Sequence, residues 1–275
     1  MITQAEDILN QFTDNPRKDN SLLEQLFALL PRKMKNVADY LLPADAEPEQ
    51  IQNVIDRETD LLRMMETQMQ ALPSNDSKEK TLLEEWNLSI TPVNNEKELR
   101  QIKRHMGHSA DCFSKAFRVK NSNRDNAFWN YYDKHNYHKE DIHYWYHGSR
   151  NMNCLSILHN GLILNPKAPK VGHMFGYGIY LAPKAKKSIG YTSLNGSFWV
   201  HGTSDTAYLF VMKTVYKSPY HVYTWTSGMK SLTKSRISPH DAVFAHAGTS
   251  LRNDEVVIFD DAQVTLQYII ELKQQ

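Results

Sequence analysis

The sequence predicts an α+β protein in which an all-α segment precedes a mixed or antiparallel sheet. Apolar residues recur at helical spacing through the first part of the chain, which calls for packed amphipathic helices. Later runs are rich in β-branched and aromatic residues and are joined by loops of varied length. Too few helical stretches alternate with those runs for a doubly wound parallel sheet.

Leu22, Leu23, Leu26, Phe27 and Leu30 mark a helix that should stop before Pro31. Ile51, Val54, Ile55, Leu61, Leu62, Met65 and Met69 mark another, with Pro48 suited to its first position. Pro73, Ser74, Asn75, Asp76 and Ser77 form a polar, breaker-rich stretch. A helical subdomain is therefore expected over residues 1–85 and a second domain over 86–275. The second opens with a strand near Leu88–Val93 and a helix capped by Asn95, with Glu98 completing a capping box and Gly107 ending it. Strands are expected at Cys112–Val119, Ile142–His147, Thr206–Tyr216, Asp254–Phe259 and Val264–Leu272, and helices at Asn151–Asn160 and Pro183–Tyr191. The sequence contains no internal repeat.

Composition narrows the function classes. Hydrophobic residues at 41% and aromatics at 11% are those of a folded globular chain. Lys plus Arg (32) nearly balance Asp plus Glu (31), so the molecule has no overall field for nucleic acid or anionic membrane. Any such contact would rest on local runs such as Lys184, Lys186 and Lys187, or Lys230, Lys234 and Arg236. The two cysteines, Cys112 and Cys154, make neither a disulfide framework nor a zinc-ribbon spacing, which fits a reducing compartment. The longest apolar run, Ala207–Met212, is too short to span a bilayer, and the first residues do not read as a signal peptide. An intracellular protein without a membrane partner is expected, with cytoplasm and nucleus or nucleoid equally open.

Several motifs fail. Gly172, Gly176 and Gly178 invite a dinucleotide reading, but Leu181 breaks the GxGxxG spacing, and neither a Walker A nor an HExxH pattern occurs. His105 with His108, and His135 with His138, have usable metal spacing without a third ligand, so no metal is expected.

Three segments stand out together: Tyr146-His147-Gly148-Ser149-Arg150, Met174 to Tyr180 continuing through Lys187-Ser188-Ile189-Gly190-Tyr191, and Asn253-Asp254-Glu255-Val256-Val257-Ile258. In order and spacing they resemble the catalytic domain of the poly(ADP-ribose) polymerase family, in which a His, a Tyr and a Glu on separate strands surround NAD. The resemblance covers residues 142–275. It continues weakly through Leu83–Ala110, and the earlier helices resemble a shortened form of the family's regulatory helical domain. The zinc-finger, WGR and BRCT modules of DNA-damage members have no counterpart.

The resemblance implies an ADP-ribosyltransferase β-sheet fold that consumes NAD as substrate and needs no metal. His147, Tyr180 and Glu255 would be catalytic. His147 would bond the nicotinamide-ribose 2'-hydroxyl, backbone groups of Gly148 would grip the carboxamide, and Ser188 would bond the same group. Tyr191 would stack on the nicotinamide ring and Tyr180 would line the opposite side. Glu255 would accept from the ribose 2'-hydroxyl, stabilise the developing sugar cation, and polarise an attacking hydroxyl when the acceptor is itself ADP-ribose. Ser149, Asn153 and Lys187 complete the implied NAD site, Lys187 on the acceptor side. The family's adenosine-side arginine falls near Ile163 here, Tyr177 replaces a lysine, His173 replaces a tyrosine, and residues 193–205 differ freely.

Taken singly, each residue has a plainer reading: His147 a strand histidine, Tyr180 and Tyr191 core aromatics, Glu255 a charge at a strand end. Jointly they point to transfer of ADP-ribose to protein acceptors, the chain itself among them, with polymer growth. Mono-ADP-ribosylation or NAD hydrolysis is the alternative within enzymes, and a catalytically silent NAD or ADP-ribose binding module is the alternative outside them. DNA is left open as an activator.

Overall fold

The computed structural model describes residues 2–13, 15–30, 32, 34, 36–70, 81–164 and 174–274. They fall into two units, one within 2–70 and the other made of 81–164 and 174–274. In the first, α1 is Ile2–Leu9, α2 Pro16–Leu29 and α3 Pro48–Gln70. The Asn15 side chain caps α2 by accepting from the Lys18 backbone N–H at 3.2 Å, with Pro16 in the first turn. Ala5, Leu9, Leu23, Leu26, Ile51 and Ile55 are buried together where the three helices meet. Each leucine or isoleucine so buried contributes about 1.5–3 kcal/mol, more than propensity gives such short helices. Glu58 is buried in this unit, and its carboxylate is held by Arg32 at 2.7 Å and Arg57 at 3.1 Å. The helix α1 was not anticipated: it spans two turns and becomes legible only once α2 and α3 bury Ala5 and Leu9. The stretch at residues 73–77 lies outside the described residues.

The second unit begins with the turn α4 (Leu82–Glu85), whose Thr81 and Glu84 form a reciprocal capping box, and β1 (Leu88–Pro92). There follow α5 (Glu96–Met106), β2 (Phe113–Asn121), α6 (Ser122–Lys134), β3 (Ile142–Gly148) and α7 (Cys154–Asn160). Then come β4 (Ile179–Leu181), α8 (Ala185–Ile189), β5 (Thr206–Val215), β6 (Pro219–Val222), β7 (Ala242–Ala245), β8 (Glu255–Ile258) and β9 (Val264–Lys273). Asn95 caps α5 at Glu98 and Gly107 ends it, as the sequence predicts.

Two sheets result. The first has the order β1-β2-β9-β5-β3 and is antiparallel throughout; the second is β4-β8-β7-β6, with β6 and β7 parallel. The mixed, mainly antiparallel α+β architecture is the one expected. Ala207, Leu209, Ile270 and Leu272 fill the core of the first sheet, and Phe175, Val243, Ala245 and Val257 that of the second.

Three elements depart from expectation for local reasons. The helix α6 carries one fully buried apolar residue, Phe128, so it has no stripe to read. The stretch Pro183–Tyr191 contains a helix of only Ala185–Ile189, and Asn151–Asn160 splits into a 3₁₀ turn followed by α7. The strands β4, β6 and β7 are three or four residues long, too short to show alternation.

Candidate active site

A backbone exchange joins the two sheets. Tyr146 of β3 and Ala182, just past β4, exchange both backbone hydrogen bonds at 2.9 Å. This seam sets the distances between the three segments. His147, next along β3, directs its Nδ1 to the Tyr180 carbonyl at 3.1 Å. A carbonyl only accepts, so Nδ1 carries the proton and Nε2 is the acceptor of the neutral ring.

Tyr180 lies opposite Val257 in the β4–β8 pairing, and Glu255 is two residues from Val257 on the same face. The Tyr180 hydroxyl donates to the Gly176 carbonyl at 2.8 Å and accepts from the Phe175 N–H at 2.9 Å, so the phenol fixes the loop that leads into β4. Burial pushes that phenol well above the usual tyrosine range, and the Glu255 charge acts in the same direction. Tyr180 is therefore a neutral donor at any physiological pH. Gly176 has a φ of +80° and sits directly on the Leu232 carbonyl, a conformation and a clearance that only glycine meets.

Glu255 does not stand at a surface strand end, as its sequence position alone suggests. It is 9% exposed, opposite Ala245 in β7. Its Oε1 lies 2.5 Å from Lys187 Nζ, which α8 brings across from the other side of the seam. A carboxylate so enclosed needs a counter-charge, and Lys187 supplies it.

The last turn of α8 is locked to β3. Ser188 Oγ donates to the Tyr146 carbonyl at 3.0 Å, and a Cβ at Gly148 would overlap the Ser188 carbonyl oxygen. The Ser188 hydroxyl, its proton spent on Tyr146, is left as an acceptor. Tyr191 follows at the surface, 38% exposed, with its ring 5.8 Å from that of Trp199 and the planes 19° apart.

On the other side of Gly148, Asn153 is buried and donates to Ser149 Oγ at 2.7 Å. Asn153 Oδ1 has no hydrogen-bond partner among the described residues, nor does Asn151 Oδ1. Buried acceptors in that state await a donor. Ile163, by contrast, is 46% exposed. The structure thus gathers His147, Gly148, Lys187, Ser188, Tyr180 and Glu255 around the seam, places Ser149 and Asn153 on one flank, and places Tyr191 on the other.

The poly(ADP-ribose) polymerase catalytic domain matches the chain over residues 96–274. The chain belongs to that family. It is 31% identical to a poly(ADP-ribose) polymerase of Drosophila melanogaster over 147 residues, covering 46% of this chain and 15% of that one. Over 225 residues it is 25% identical to poly(ADP-ribose) polymerase 2 of Arabidopsis thaliana, covering 69% and 34%. A shorter stretch of 57 residues is 47% identical to poly(ADP-ribose) polymerase 2 of Homo sapiens, covering 19% and 10%. The chain therefore spans a minor part of the length of these relatives.

Sequence reasoning missed one feature of this family member. Residues 193–205, set aside as divergent, form a tight loop that presents Phe198 and Trp199 beside Tyr191. The aromatic doublet between Gly196 and Gly202 was its visible signal. Among the described residues no group of three or more His, Cys, Asp and Glu is arranged to hold a metal, and no helix is long and apolar enough to cross a membrane.

Proposed function

We propose that this chain is an NAD-dependent ADP-ribosyltransferase that breaks the nicotinamide–ribose bond and passes ADP-ribose to protein acceptors, extending it into polymer. The observation that carries the reading is the Glu255–Lys187 pair enclosed at the seam, with His147 and Tyr180 beside it. Cleavage of the C1'–N bond releases neutral nicotinamide and leaves positive charge on the sugar. An enclosed carboxylate at that position lowers the barrier because little solvent screens it.

In this reading His147 Nε2 accepts from a ribose hydroxyl, and the Ser188 hydroxyl accepts from the carboxamide nitrogen that Gly148 backbone groups also hold. Tyr191 stacks on the leaving ring, and Ser149 and Asn153 bind the remaining ribose. Glu255 then accepts a hydrogen bond from the incoming hydroxyl and takes its proton as the oxygen adds at C1'. Polymer growth follows from a carboxylate at position 255 able to polarise the hydroxyl of an ADP-ribose acceptor. Residues 1–85 are assigned a regulatory role and 86–275 the catalytic one.

The decisive experiment is nicotinamide release from NAD by the wild-type chain and by Glu255→Gln. We expect a loss in kcat of about 10²–10³-fold, the range for removing one preorganised electrostatic group. Unchanged turnover in a clean preparation would remove Glu255 from the chemistry. Electrophoresis of labelled products reports chain length: a ladder supports polymer growth and single additions refute it.

A further inference from the structure

An aromatic stack leaves the nicotinamide side of the site and reaches the loop that precedes Glu255. Tyr191 lies against Trp199, with planes 19° apart and centroids at 5.8 Å. Phe198 packs edge-on to Trp199 at 4.6 Å, and the Arg252 guanidinium sits 5.8 Å from the Phe198 ring. Arg252 belongs to the β7–β8 connection, just ahead of Glu255.

The loop that carries Phe198 and Trp199 is built to hold them. Asn195 N–H donates to the Ser204 carbonyl at 2.8 Å, Ser204 N–H to Ser193 at 2.9 Å, and Ser197 N–H to Leu194 at 3.0 Å. Ser197 Oγ accepts from Gly202 N–H at 2.8 Å, and Leu194 is anchored in the core of the first sheet. The Trp199 backbone N–H donates to the Gly190 carbonyl at 2.9 Å, and the indole packs against Gly190, the residue preceding Tyr191. Phe198 nevertheless remains 59% exposed, an arrangement that core packing does not require.

We infer that Trp199 is a positioning residue: it holds the Tyr191 ring in the orientation that stacks on nicotinamide, and the Phe198–Arg252 contact braces it from the Glu255 side. The inference rests on the reading of Tyr191 as the nicotinamide-stacking residue. The indole is packed against Gly190 and lies beside the Tyr191 ring, so it narrows the orientations open to that ring before the ligand arrives. Trp199 touches no reacting atom, so its effect belongs to binding of the nicotinamide group.

The test is calorimetric titration of the whole chain with nicotinamide, together with steady-state kinetics on NAD, for Trp199→Ala, Trp199→Phe and Arg252→Gln. For Trp199→Ala we expect the nicotinamide Kd and the KM for NAD to rise together by about three- to tenfold, the span of one aromatic pair. Its kcat should stay within about twofold of the wild type, since the chemical step is untouched. Trp199→Phe should recover most of the loss, and Arg252→Gln should give a smaller rise with the fold intact. A Trp199→Ala chain that binds nicotinamide as the wild type does overturns the inference, as does a Trp199→Phe chain as impaired as Trp199→Ala. Should Trp199→Ala fail to fold, an unchanged Kd in Arg252→Gln together with an unrescued Trp199→Phe overturns it. A wild-type chain that binds nicotinamide without turning over NAD would instead refute the transferase reading and leave the Trp199 comparison intact.

Discussion

Replacing Lys187 by methionine keeps most of the length of the side chain and deletes the cation paired with Glu255 in the seam. The charges stand 2.5 Å apart with about a tenth of each side chain exposed. At an effective dielectric of about 20 their gross attraction is about 7 kcal/mol, most of which desolvation has already consumed. What Lys187→Met costs is the exposure of an enclosed carboxylate without a donor, about 1–3 kcal/mol. For a domain of this size that is a fall in Tm of about 3–10 °C. The kinetic cost is separate. A carboxylate released from its partner samples other rotamers, and a displacement on the order of 1 Å at the reacting centre lowers kcat by about 10–100-fold. The KM for NAD should move less, because the carboxamide contacts proposed for Gly148 and Ser188 do not involve the ion pair. Nicotinamide release and thermal unfolding on the same preparation check both, and Lys187→Arg, which keeps the charge, should recover part of each. A Lys187→Met enzyme with kcat within about twofold of the wild type would show that the ion pair does not orient Glu255.

Tyr180→Phe removes the hydroxyl that accepts from the Phe175 N–H and donates to the Gly176 carbonyl. With Phe175 fully buried, about 1–3 kcal/mol of stability should be lost in denaturant titration, and a change within error would mean the loop is held by other contacts. Gly148→Ala drives a Cβ into the Ser188 backbone, which cannot yield without pulling α8 off β3. We expect a loss above about 3 kcal/mol or no soluble protein, and a normal Tm would refute the packing described. Burial pushes the Cys154 thiol up to about 12 from an ordinary 9.0, and the Tyr146 and Tyr216 phenols to about 12 from 10.0. The folded chain thus holds these protons more tightly than the unfolded one, a contribution complete below about pH 9 and lost as pH rises towards about 12. Cys154→Ala should flatten the first part of that decline, and identical alkaline unfolding profiles for both chains would refute it.

What the sequence disclosed about the fold follows from element length. The helix α3 and the strands β5 and β9 are long enough for their period to show, and α5 announces both ends through Asn95 and Gly107. Of the strands that frame the site, β3 and β8 stand where the sequence predicts them, and β4 is the opaque one. Ile179–Leu181 and Glu255–Ile258 offer three and four residues, and their pairing is decided by contacts far along the chain. Of the candidate site, His147, Tyr180 and Glu255 are singled out in the sequence by the order and spacing in which their segments resemble the family. The burial of Glu255 was not, because it comes from Lys187 on α8 and from Ala245 on a strand the sequence does not mark.

The same short elements explain why the site stands where it does. A long sheet could position one functional side chain with little help, but three from separate segments need a joint that fixes their mutual distances. Here the joint consists of the Tyr146–Ala182 backbone exchange, the Ser188 hydroxyl on the Tyr146 carbonyl and the contact of Gly148 with Ser188. Each ties backbone to backbone or side chain to backbone, so the joint does not depend on the rotamers of the groups it presents. His147, Tyr180 and Lys187 each lie within two residues of one of those ties, and Glu255 is reached through Lys187 and through the pairing of β8 with β4. Damage to the joint should therefore abolish binding and stability together, whereas Glu255→Gln should strip kcat from a chain that still folds.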